Sequence, residues 1–404
     1  MIKNSLFKLS GKVQHYQWGG YTFLPELLGM ANNEVRPFAE YWLGAHDNSP
    51  AVMIGAEPSF LNAYVRNHPA VLGKQVEKQF GRLPYLLKVL DVKDMLSIQV
   101  HPSREMALLE FAKENNSGIS LQDAKRNYKD DNHKPELMLA LSDFWLLHGF
   151  KSEEGIRKTI SAIKEFDFML PLFENGGYEE LYRAVMEMEQ EQVNELLQPV
   201  LNRIIPLYTS HALQKNNPDF WAARAALTFA QSGITDRGIF SVYLLNLVTL
   251  QKGEAIFQDA GVLHAYLEGQ NMEIMANSDN VLRGGLTPKH IDVTELMKHV
   301  NFVATVPDII KGTKIDDVEE VYLTPSTDFQ LSKLSLPADQ SSALTAATTE
   351  IFFLFKGIIE MKEGENEAIR LEKGEAAVAF AGANITMQSK DDAELFRATV
   401  PLDS

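Results

Sequence analysis

Two side chains that can bind a metal stand two residues apart in the segment SIQVHP, residues 97–102. If this run is a strand, Gln99 and His101 project from one face, while Ile98 and Val100 point the opposite way into a core. Imidazole is a common zinc ligand, and an amide oxygen is a less common one. The spacing predicts a pair of ligands on one face, although a buried structural histidine would give the same pattern.

The segment NHKPEL, residues 132–137, places three chemically active groups close together. His133 is a general-base candidate, Lys134 supplies a cation, and Glu136 supplies a carboxylate. Charged residues just before a strand usually lie at the surface. Taken alone, the segment therefore favours a solvated loop over a functional site.

A third polar cluster follows a predicted turn in AGVLHAYLEG, residues 260–269. Gly261 sets the turn before His264, and Glu268 stands four residues further on. An imidazole, a phenol and a carboxylate at the mouth of a barrel suit a ligand or metal site. A lone histidine at such a position is more often structural, so that alternative stays open.

Two cations stand in the segment NSDNVLRGGLTPKH, residues 277–290. Arg283 precedes two glycines, which let the backbone bend close to a ligand, and Lys289 lies six residues further on. Two cations beside a flexible stretch suit a phosphate or a developing enolate charge. An ordinary surface loop would have a similar composition.

The composition restricts the possible metal ligands and partners. The chain has no cysteine, so any zinc must be held by histidine together with carboxylate or amide oxygen. A formal net charge of -16 argues against a generic attraction to nucleic acid or to an anionic membrane. A small phosphorylated substrate remains compatible, because salt screens distant charges within about 10 Å and local cations dominate a pocket.

The length and hydropathy predict a folded protein of several domains. At 404 residues the chain exceeds what one core usually holds, so two or three domains are expected. The start, MIKNSLFKLSGKV, has no apolar run of signal-peptide length, and no later segment approaches the roughly 20 apolar residues needed to span a bilayer. A cytoplasmic location is the resulting expectation.

The elements that hold the polar segments change character along the chain. The first 150 or so residues carry short apolar runs broken by Gly, Pro, Asn and Asp, which predicts strands and turns with a weak helical signal. One exception is REMALLEFAKENN, residues 104–116, whose spacing predicts a short amphipathic helix. From Ser152, an N-cap candidate, the period becomes helical. We interpret residues 151–230 as a helical insert whose apolar stripe is packing core.

Strand-type sequence resumes after this insert. The β-branched and aromatic residues at 238–250 predict a strand, and residues to about 310 alternate strands with turns. The last 90 or so residues are again predicted as short strands.

A weak repeat links the two later regions. KGEA occurs at residues 252–255 and again at 373–376, and a second glycine follows eight residues after the first in both copies. Three residues beyond that glycine, the first copy has His264 and the second has Ile385. If the two units are duplicates, the second lacks the metal-capable residue and is a structural partner; a chance match of four residues is the alternative.

Taken together, the motifs resemble those of the type I mannose-6-phosphate isomerases, which are zinc enzymes of the cupin fold. The blocks that carry the resemblance are, in chain order, QHYQWGG, AEYWLGAHDNSPA, LPYLLKVL, LSIQVHP, NYKDDNHKPEL, AGVLHAYLEG and NSDNVLRGGLTPKH. They run from about residue 13 to residue 290 and break off only across the helical insert. Ser103 departs from the family, which often has Asn after the HP of the zinc strand.

The resemblance implies roles for particular residues. The implied zinc ligands are Gln99, His101, Glu136 and His264, with one Zn2+ per chain. Arg283 would be the catalytic arginine. The implied phosphate and sugar contacts are Lys88, Ser97 and Lys289. The acid and base candidates are His133, Lys134, Glu273 and Asp279. Among these, Glu273 is favoured slightly as the base over the His133 and Lys134 pair, because a carboxylate suits proton abstraction next to a carbonyl.

The resemblance also implies a fold and a reaction. The fold would be mainly β, with a cupin-type β-barrel (jelly roll) as catalytic domain, a helical domain and a second, C-terminal barrel. Residues 1–150 and 231–310 would form the catalytic barrel, with about 20–75 packing on either barrel, and 311–404 would form a β domain without a metal site. The reaction would be the interconversion of mannose 6-phosphate and fructose 6-phosphate by proton transfer between C1 and C2 through an enediolate.

Two other functions fit the same residues. A cupin metal oxygenase would use two histidines and one carboxylate for iron, and His101, His264 and Glu136 supply that set. A non-catalytic cupin that binds sugar phosphate would use the same polar cluster without turnover. Metal content separates the first alternative from an isomerase, and turnover separates the second.

Overall fold

The computed structural model describes residues 4–57, 59–231 and 233–402. The helices are α1 (Phe23–Leu27), α2 (Leu61–Asn67), α3 (Lys74–Phe80), α4 (Arg104–Asn116), α5 (Glu153–Ala162), α6 (Met169–Glu187), α7 (Gln190–Thr209), α8 (Pro218–Thr228), α9 (Gly238–Leu244) and α10 (Val293–Met297), with 3-10 turns at Pro69–Leu72 and Lys164–Phe166. Within these ranges no helix combines the length and apolar character needed to cross a membrane.

Strands make up most of the remaining regular structure. They are β1 (Leu6–Ser10), β2 (Lys12–Gln14), β3 (Glu40–Gly44), β4 (Val52–Met53), β5 (Tyr85–Val92), β6 (Ile98–Val100), β7 (Glu136–Ala140), β8 (Phe144–Phe150), β9 (Leu245–Leu250), β10 (Glu254–Gln258), β11 (His264–Ala276), β12 (Leu282–Gly285), β13 (Ile310–Lys311), β14 (Thr313–Lys314), β15 (Glu319–Tyr322), β16 (Gln330–Leu336), β17 (Ser341–Thr345), β18 (Glu350–Lys356), β19 (Ile358–Glu363), β20 (Ile369–Glu372), β21 (Ala376–Ala379), β22 (Asn384–Ser389) and β23 (Ala393–Thr399).

The large sheet, of eleven strands, holds the polar segments singled out above. Its main path is β13-β10-β7-β11-β5-β3-β2, and β6, β8, β9 and β12 join it through β11. The first residues of β11 pair with β6 and β8, and its later residues pair with β5 and β7. One long strand therefore brings two sets of strands to the same place.

The remaining strands form two further sheets. The C-terminal sheet has the order β14-β15-β16-β23-β18-β21-β1-β4, and the small sheet has the order β17-β22-β19-β20. β1 comes from the start of the chain but pairs with β21, with Leu6 opposite Ala379. Residues 20–75 divide between the two main sheets, because β3 lies in the large sheet and β4 in the C-terminal sheet. One hydrophobic cluster includes Leu61, Leu137 and Ile351, so both sheets share a core.

The helical region begins where its capping residue predicts. The Ser152 side chain accepts a hydrogen bond from the Gly155 amide, 3.2 Å, and α5 follows with Ile156 and Ile160 buried. α6 and α7 then each bury one apolar stripe, and the stripe on α6 includes Leu181. The prediction that this stripe is packing core is confirmed.

The predicted strand over residues 238–250 is wrong in its first half. Gly238–Leu244 is the helix α9, and only Leu245–Leu250 is a strand. Every residue of α9 is buried, and Phe240 packs on Phe166 with ring centroids 5.5 Å apart. A helix buried on all sides has no polar face, so its sequence lacks the 3.6-residue period that identifies a helix.

The helical content of the first 150 residues is higher than the sequence predicts. α4 spans Arg104–Asn116, as predicted, but its predicted apolar face is not buried. Leu109 is 58% exposed, and the buried residues of the helix are Ala107 and Glu110. α2 and α3 were not predicted, because each has only seven residues and buries few of them. Seven residues give a periodic signal less than two full turns long.

The two KGEA copies have the same backbone conformation. Gly253 and Gly374 have φ values of 89° and 87°, and Gly261 and Gly382 have values of 81° and 90°. A strand runs between the two glycines of each copy, β10 in the first and β21 in the second. Matching positive φ values at both glycines favour duplication over a chance match.

The strand register extends the correspondence to buried charges. In the first copy Gln258 of β10 pairs with Glu136, and in the second Ala379 of β21 pairs with Glu350. Both carboxylates are buried, at 1% and 0% exposure. Glu350 therefore occupies the position in the second unit that Glu136 occupies in the first.

An arginine neutralises the carboxylate of the second unit. Arg397 donates from Nε and Nη2 to Glu350, at 2.7 and 2.9 Å, and from Nη1 to Glu319 at 3.0 Å. Arg397 pairs with Phe352, two residues from Glu350. The second unit thus balances its buried carboxylate with a side chain of its own.

We expect Arg397→Met to lower the free energy of unfolding by about 3–5 kcal/mol, because it leaves the Glu350 carboxylate buried without a counter-charge. Urea unfolding followed by circular dichroism measures the change. The double variant Arg397→Met with Glu350→Gln should recover most of the loss, since the charge is then removed together with its partner. A double variant that is no more stable than Arg397→Met would contradict this interpretation.

Candidate metal centre and surrounding pocket

Three ligating side chains converge in the interior of the large sheet. His101, Glu136 and His264 each offer an atom within 4.8 Å of the others. His101 Nε2 lies 3.4 Å from Glu136 Oε1, and His264 Nε2 lies 3.6 Å from Glu136 Oε2. All three residues are almost completely buried. The segments containing His101, Glu136 and His264, which are far apart in sequence, therefore meet at one point.

Strand register places Gln99 and Arg283 beside this group. His264 on β11 is directly opposite Gln99 on β6, and Gln99 is directly opposite Arg283 on β12. Directly paired residues of antiparallel strands project from the same face. Ile98 and Val100 point the other way into a hydrophobic cluster, so the predicted alternation of the strand is confirmed.

Backbone carbonyls orient both imidazoles. His101 Nδ1 donates to the Asn280 carbonyl at 2.8 Å, and His264 Nδ1 donates to the Val262 carbonyl at 2.9 Å. Each Nε2 then carries a lone pair directed at the other ligands. The two Nε2 atoms and Glu136 Oε2 are buried and have no hydrogen-bond partner among the described residues. This arrangement fits a divalent metal such as zinc.

The local electrostatics hold these groups in the states that a metal requires. Burial, with a contribution from Lys134, lowers the pKa of His101 to about 4, so its imidazole is neutral at pH 7. Burial by itself would raise the pKa of Glu136, but Lys134, 2.8 Å away, and His101 hold it well below the usual range. Neutral imidazole and ionised carboxylate are the forms that coordinate zinc.

A buried acid–base group lies beside the three ligands. Lys88 Nζ donates to Glu273 Oε1 at 2.9 Å and lies 3.6 Å from Glu40 Oε2, while the Tyr266 hydroxyl donates to Glu273 Oε2 at 2.8 Å. Burial raises the pKa of Glu273, against the opposing effect of Lys88. The carboxylate is therefore a stronger base than an exposed glutamate.

These residues face a common pocket with a volume of about 260 Å³. That volume lies near the lower end of the range for small-ligand sites. Arg283 and Lys289 contribute cations to its lining, and burial lowers the pKa of each. Neither forms an ion pair within the described ranges. Two uncompensated cations make the pocket suitable for an anionic ligand despite the acidic protein.

The two remaining acid–base candidates have different surroundings. Asp279 lines the pocket and is held by His46 Nε2 at 3.2 Å and by the Asn48 amide at 3.1 Å. His133 lies outside the pocket lining, where Asp328 is 3.0 Å from its Nε2 and Arg104 also contacts it. The structure therefore separates His133 from the neighbouring Lys134.

Ser97 is also outside the pocket lining, whereas Lys88 and Lys289 are part of it. Ser97 is half-buried just before β6.

Several pocket residues were not singled out from the sequence. Aromatic and acidic side chains from the start of the chain form one wall; they are Tyr16, Trp18, Glu40 and Trp42. Trp42 Nε1 donates to Glu40 Oε2 at 2.5 Å. The available signal was the pair of blocks QHYQWGG and AEYWLGAHDNSPA, which contain all four residues but have no spacing typical of a site.

Comparison with known proteins adds a family to this geometry. Residues 6–153 match the family described as the catalytic domain of type I phosphomannose isomerase. The mannose-6-phosphate isomerase of Salmonella typhimurium is 37% identical over 400 residues, covering 93% of this chain and 95% of the relative. The protein of the same name from Rattus norvegicus is 32% identical, covering 99% of this chain and 97% of the relative.

Solved structures agree over nearly the full length. A crystal structure of mannose 6-phosphate isomerase from Salmonella typhimurium, bound to substrate (f6p) and zinc, superposes with a TM-score of 0.88 at 33% identity and covers 99% of this chain and 100% of that chain. A second, bound with zinc and yttrium, gives a TM-score of 0.87 at 33% identity with the same coverage.

The metal-free protein should begin to lose stability as the pH falls below about 6.5, which is well above the pH at which carboxylates titrate. Burial lowers the pKa of His101 to about 4 and that of His148, which lies directly opposite His264, to about 3. Both folded-state values lie below the unfolded value of about 6.5, so the unfolded chain binds more protons as the pH falls below 6.5. The free energy of unfolding should then fall, by about 3 kcal/mol for His101 between pH 6.5 and pH 4.

Urea unfolding of chelator-treated protein at pH 7, 6 and 5 measures this slope. His148→Leu removes one of the two titrating groups and should reduce the slope. A free energy of unfolding that is unchanged from pH 7 to pH 5 would show that neither histidine is buried in its neutral form.

Proposed function

Because the chain belongs to the type I phosphomannose isomerase family, we propose that its pocket interconverts mannose 6-phosphate and fructose 6-phosphate with one zinc ion per chain. One observation carries the proposal: the unpartnered ligand atoms of His101, Glu136 and His264 face one another, and Glu136 borders a pocket that also holds two cations without an ion-pair partner among the described residues. A sugar phosphate needs both features, since its oxygens suit the metal and its phosphate suits the cations.

The proposed zinc ligands are His101, Glu136 and His264, with Gln99 as the fourth. Support for Gln99 comes from its position directly opposite His264 and its exposure to the pocket. When bound, zinc supplies Lewis-acid stabilisation to the oxygens at C1 and C2 of the sugar.

Glu273 is the proposed base. The carboxylate accepts the proton from C2 of the aldose, holds it, and returns it to C1, which yields the ketose. Burial raises the basicity of Glu273, while Lys88 keeps the group ionised and Tyr266 fixes its second oxygen. The carboxylate is thus oriented by two partners before the substrate arrives.

Lys134 is the better candidate for moving protons on the sugar oxygens. Its Nζ borders the pocket and lies 2.8 Å from Glu136 Oε1. His133 has weaker support, because Asp328 and Arg104 hold it outside the pocket lining. Asp279 borders the pocket but is held by His46 and Asn48, which favours a binding role.

The cations of the pocket have separate proposed roles. Arg283 lies on β12, directly opposite the proposed ligand Gln99 on β6. Its guanidinium stays protonated, so it stabilises negative charge on the enediolate. Lys289 binds the phosphate. Lys88 contacts the sugar from the buried side, where Glu273 and Glu40 already neutralise its charge. Ser97 is the proposed contact with the least support, since it lies outside the pocket lining.

The proposed architecture is a cupin-type β-barrel, or jelly roll, formed by residues 1–150 and 231–310 around β11. Residues 151–230 are the helical insert, and residues 311–404 form a second β domain without a metal site. The replacement of His264 by Ile385 and the Arg397 ion pair support a purely structural second domain. β1 comes from the first part of the chain but belongs to the sheet of the second unit, because it pairs with β21.

The two alternative functions are a metal oxygenase and a non-catalytic protein that binds sugar phosphate, and metal content and turnover distinguish them. Purified protein should contain zinc and should convert mannose 6-phosphate to fructose 6-phosphate in a coupled assay. Iron with substrate-dependent oxygen uptake would favour the oxygenase. Saturable binding of mannose 6-phosphate by zinc-loaded protein without any product would favour the binding protein.

Two substitutions should separate metal binding from turnover. We expect His264→Ala to lose zinc and activity together, because it removes one of the two imidazoles among the proposed ligands. Arg283→Ala should keep zinc and lower kcat on the order of 100-fold or more, since it removes charge stabilisation alone. Atomic absorption and the coupled assay measure both. Full activity in metal-free His264→Ala would falsify the zinc assignment.

The base assignment has its own test in the exchange of substrate hydrogen with solvent. We expect Glu273→Gln to keep zinc and to abolish exchange at C2 in deuterium oxide, because the amide accepts no proton. Lys134→Met with zinc restored should still show exchange but a lower kcat. The reverse pattern, exchange retained in Glu273→Gln and lost in Lys134→Met, would assign the base to Lys134.

A further inference from the structure

Gln258 is a buried amide without a protein partner. Its side chain has no solvent exposure, and neither Oε1 nor Nε2 has a hydrogen-bond partner among the described residues. An amide buried in this way costs stability unless a buried water or a ligand replaces the hydrogen bonds that it had in solvent. Such a group in a folded protein calls for a specific explanation.

The position of Gln258 supplies one. It is the last residue of β10 and pairs directly with Glu136 of β7, so the two side chains project from the same face. Ile256, two residues earlier on that face, packs in the cluster that contains Met138 and Tyr266. Just after Gln258, the Gly261 amide donates to the His101 carbonyl at 3.0 Å. Gln258 therefore faces the interior, next to the three proposed ligands.

Glu136 has a matching unfilled hydrogen-bonding position. Its Oε2 is buried and accepts no hydrogen bond from the described residues, while Oε1 is held by Lys134. One oxygen of the carboxylate is thus fixed by the protein and the other is not.

The second unit has neither the buried amide nor the unpartnered carboxylate oxygen. At the position that corresponds to Gln258 it has Ala379, opposite Glu350. There Arg397 donates to both carboxylate oxygens of Glu350. The amide occurs only in the unit that has the His101, Glu136 and His264 group, which ties it to that group rather than to the strand geometry.

We propose that Gln258 is a positioning residue of the metal centre. Its amide Nε2 donates, through one buried water, to one lone pair of Glu136 Oε2, while the other lone pair of that oxygen faces the zinc, and the bridge so fixes the carboxylate. The inference rests on the proposed zinc site and adds a residue to it. Loss of a hydrogen bond that orients a metal ligand typically weakens metal affinity about 10–100-fold.

Gln258→Met tests the proposal, because methionine has the same length and no amide. We expect its zinc dissociation constant, measured by competition with a chromogenic chelator, to rise about 10–100-fold. The visible absorption of the cobalt-substituted protein should shift, since the carboxylate changes its orientation. The metal-free variant should unfold at the same or a higher urea concentration than the metal-free parent, because it no longer buries an amide that has no partner within the protein.

Asn271→Leu is the matched control. Asn271 is equally buried, and both of its amide atoms are also unpartnered within the described ranges, but it lies opposite Leu90 and Ala140 instead of a ligand. Its zinc affinity and cobalt spectrum should equal those of the parent protein.

The outcomes separate the inference from the function on which it rests. If the parent protein binds no zinc, the proposed metal site itself fails. If the parent binds zinc and Gln258→Met binds it within twofold as tightly with an unchanged cobalt spectrum, only the role of Gln258 fails. An equal loss in Asn271→Leu would also overturn it, because the effect would then come from the interior as a whole.

Discussion

The register of β11 is the constraint on which the site depends. This strand carries His264 near its start and Glu273 near its end, and it pairs with β6 and β8 at one end and with β5 and β7 at the other. A slip of one residue would turn both side chains to the opposite face and separate them from Gln99 and Lys88. The positions of a proposed metal ligand and of the proposed base therefore depend on each other, because a single strand carries both.

The two units solve the same problem of a buried carboxylate in different ways. In the first unit Glu136 is balanced by Lys134 on one oxygen, and the other oxygen is left for an ion. In the second unit Arg397 occupies both oxygens of Glu350. An internal cation gives a permanent, self-sufficient pair, whereas an exchangeable ion leaves coordination positions for a substrate. The first unit therefore leaves a carboxylate oxygen for the proposed ion, and the second unit does not.

Local patterns in the sequence predicted much of this structure, and long-range pairing supplied the rest. The alternation around Gln99 follows from the two-residue period of a strand, and the start of α5 follows from the capping side chain of Ser152. The helix α9 was missed because full burial removes the periodic signal. The separation of His133 from Lys134 depends on Asp328, nearly 200 residues away, and no local pattern reports such a partner. The motif blocks identified the family, but only the strand register reveals that Glu350 corresponds to Glu136.

The first strand, β1, cannot complete its pairing until β21, near the end of the chain, has been synthesised. β1 pairs on one edge with β4, which follows within about 50 residues, but its other edge pairs with β21 at Ala376–Ala379. At about 5–20 residues per second, a ribosome delivers that partner only after tens of seconds. During this interval an apolar strand edge containing Leu6 and Leu9 is open to other nascent chains. The C-terminal sheet can therefore be completed only after residues 376–379 have been synthesised.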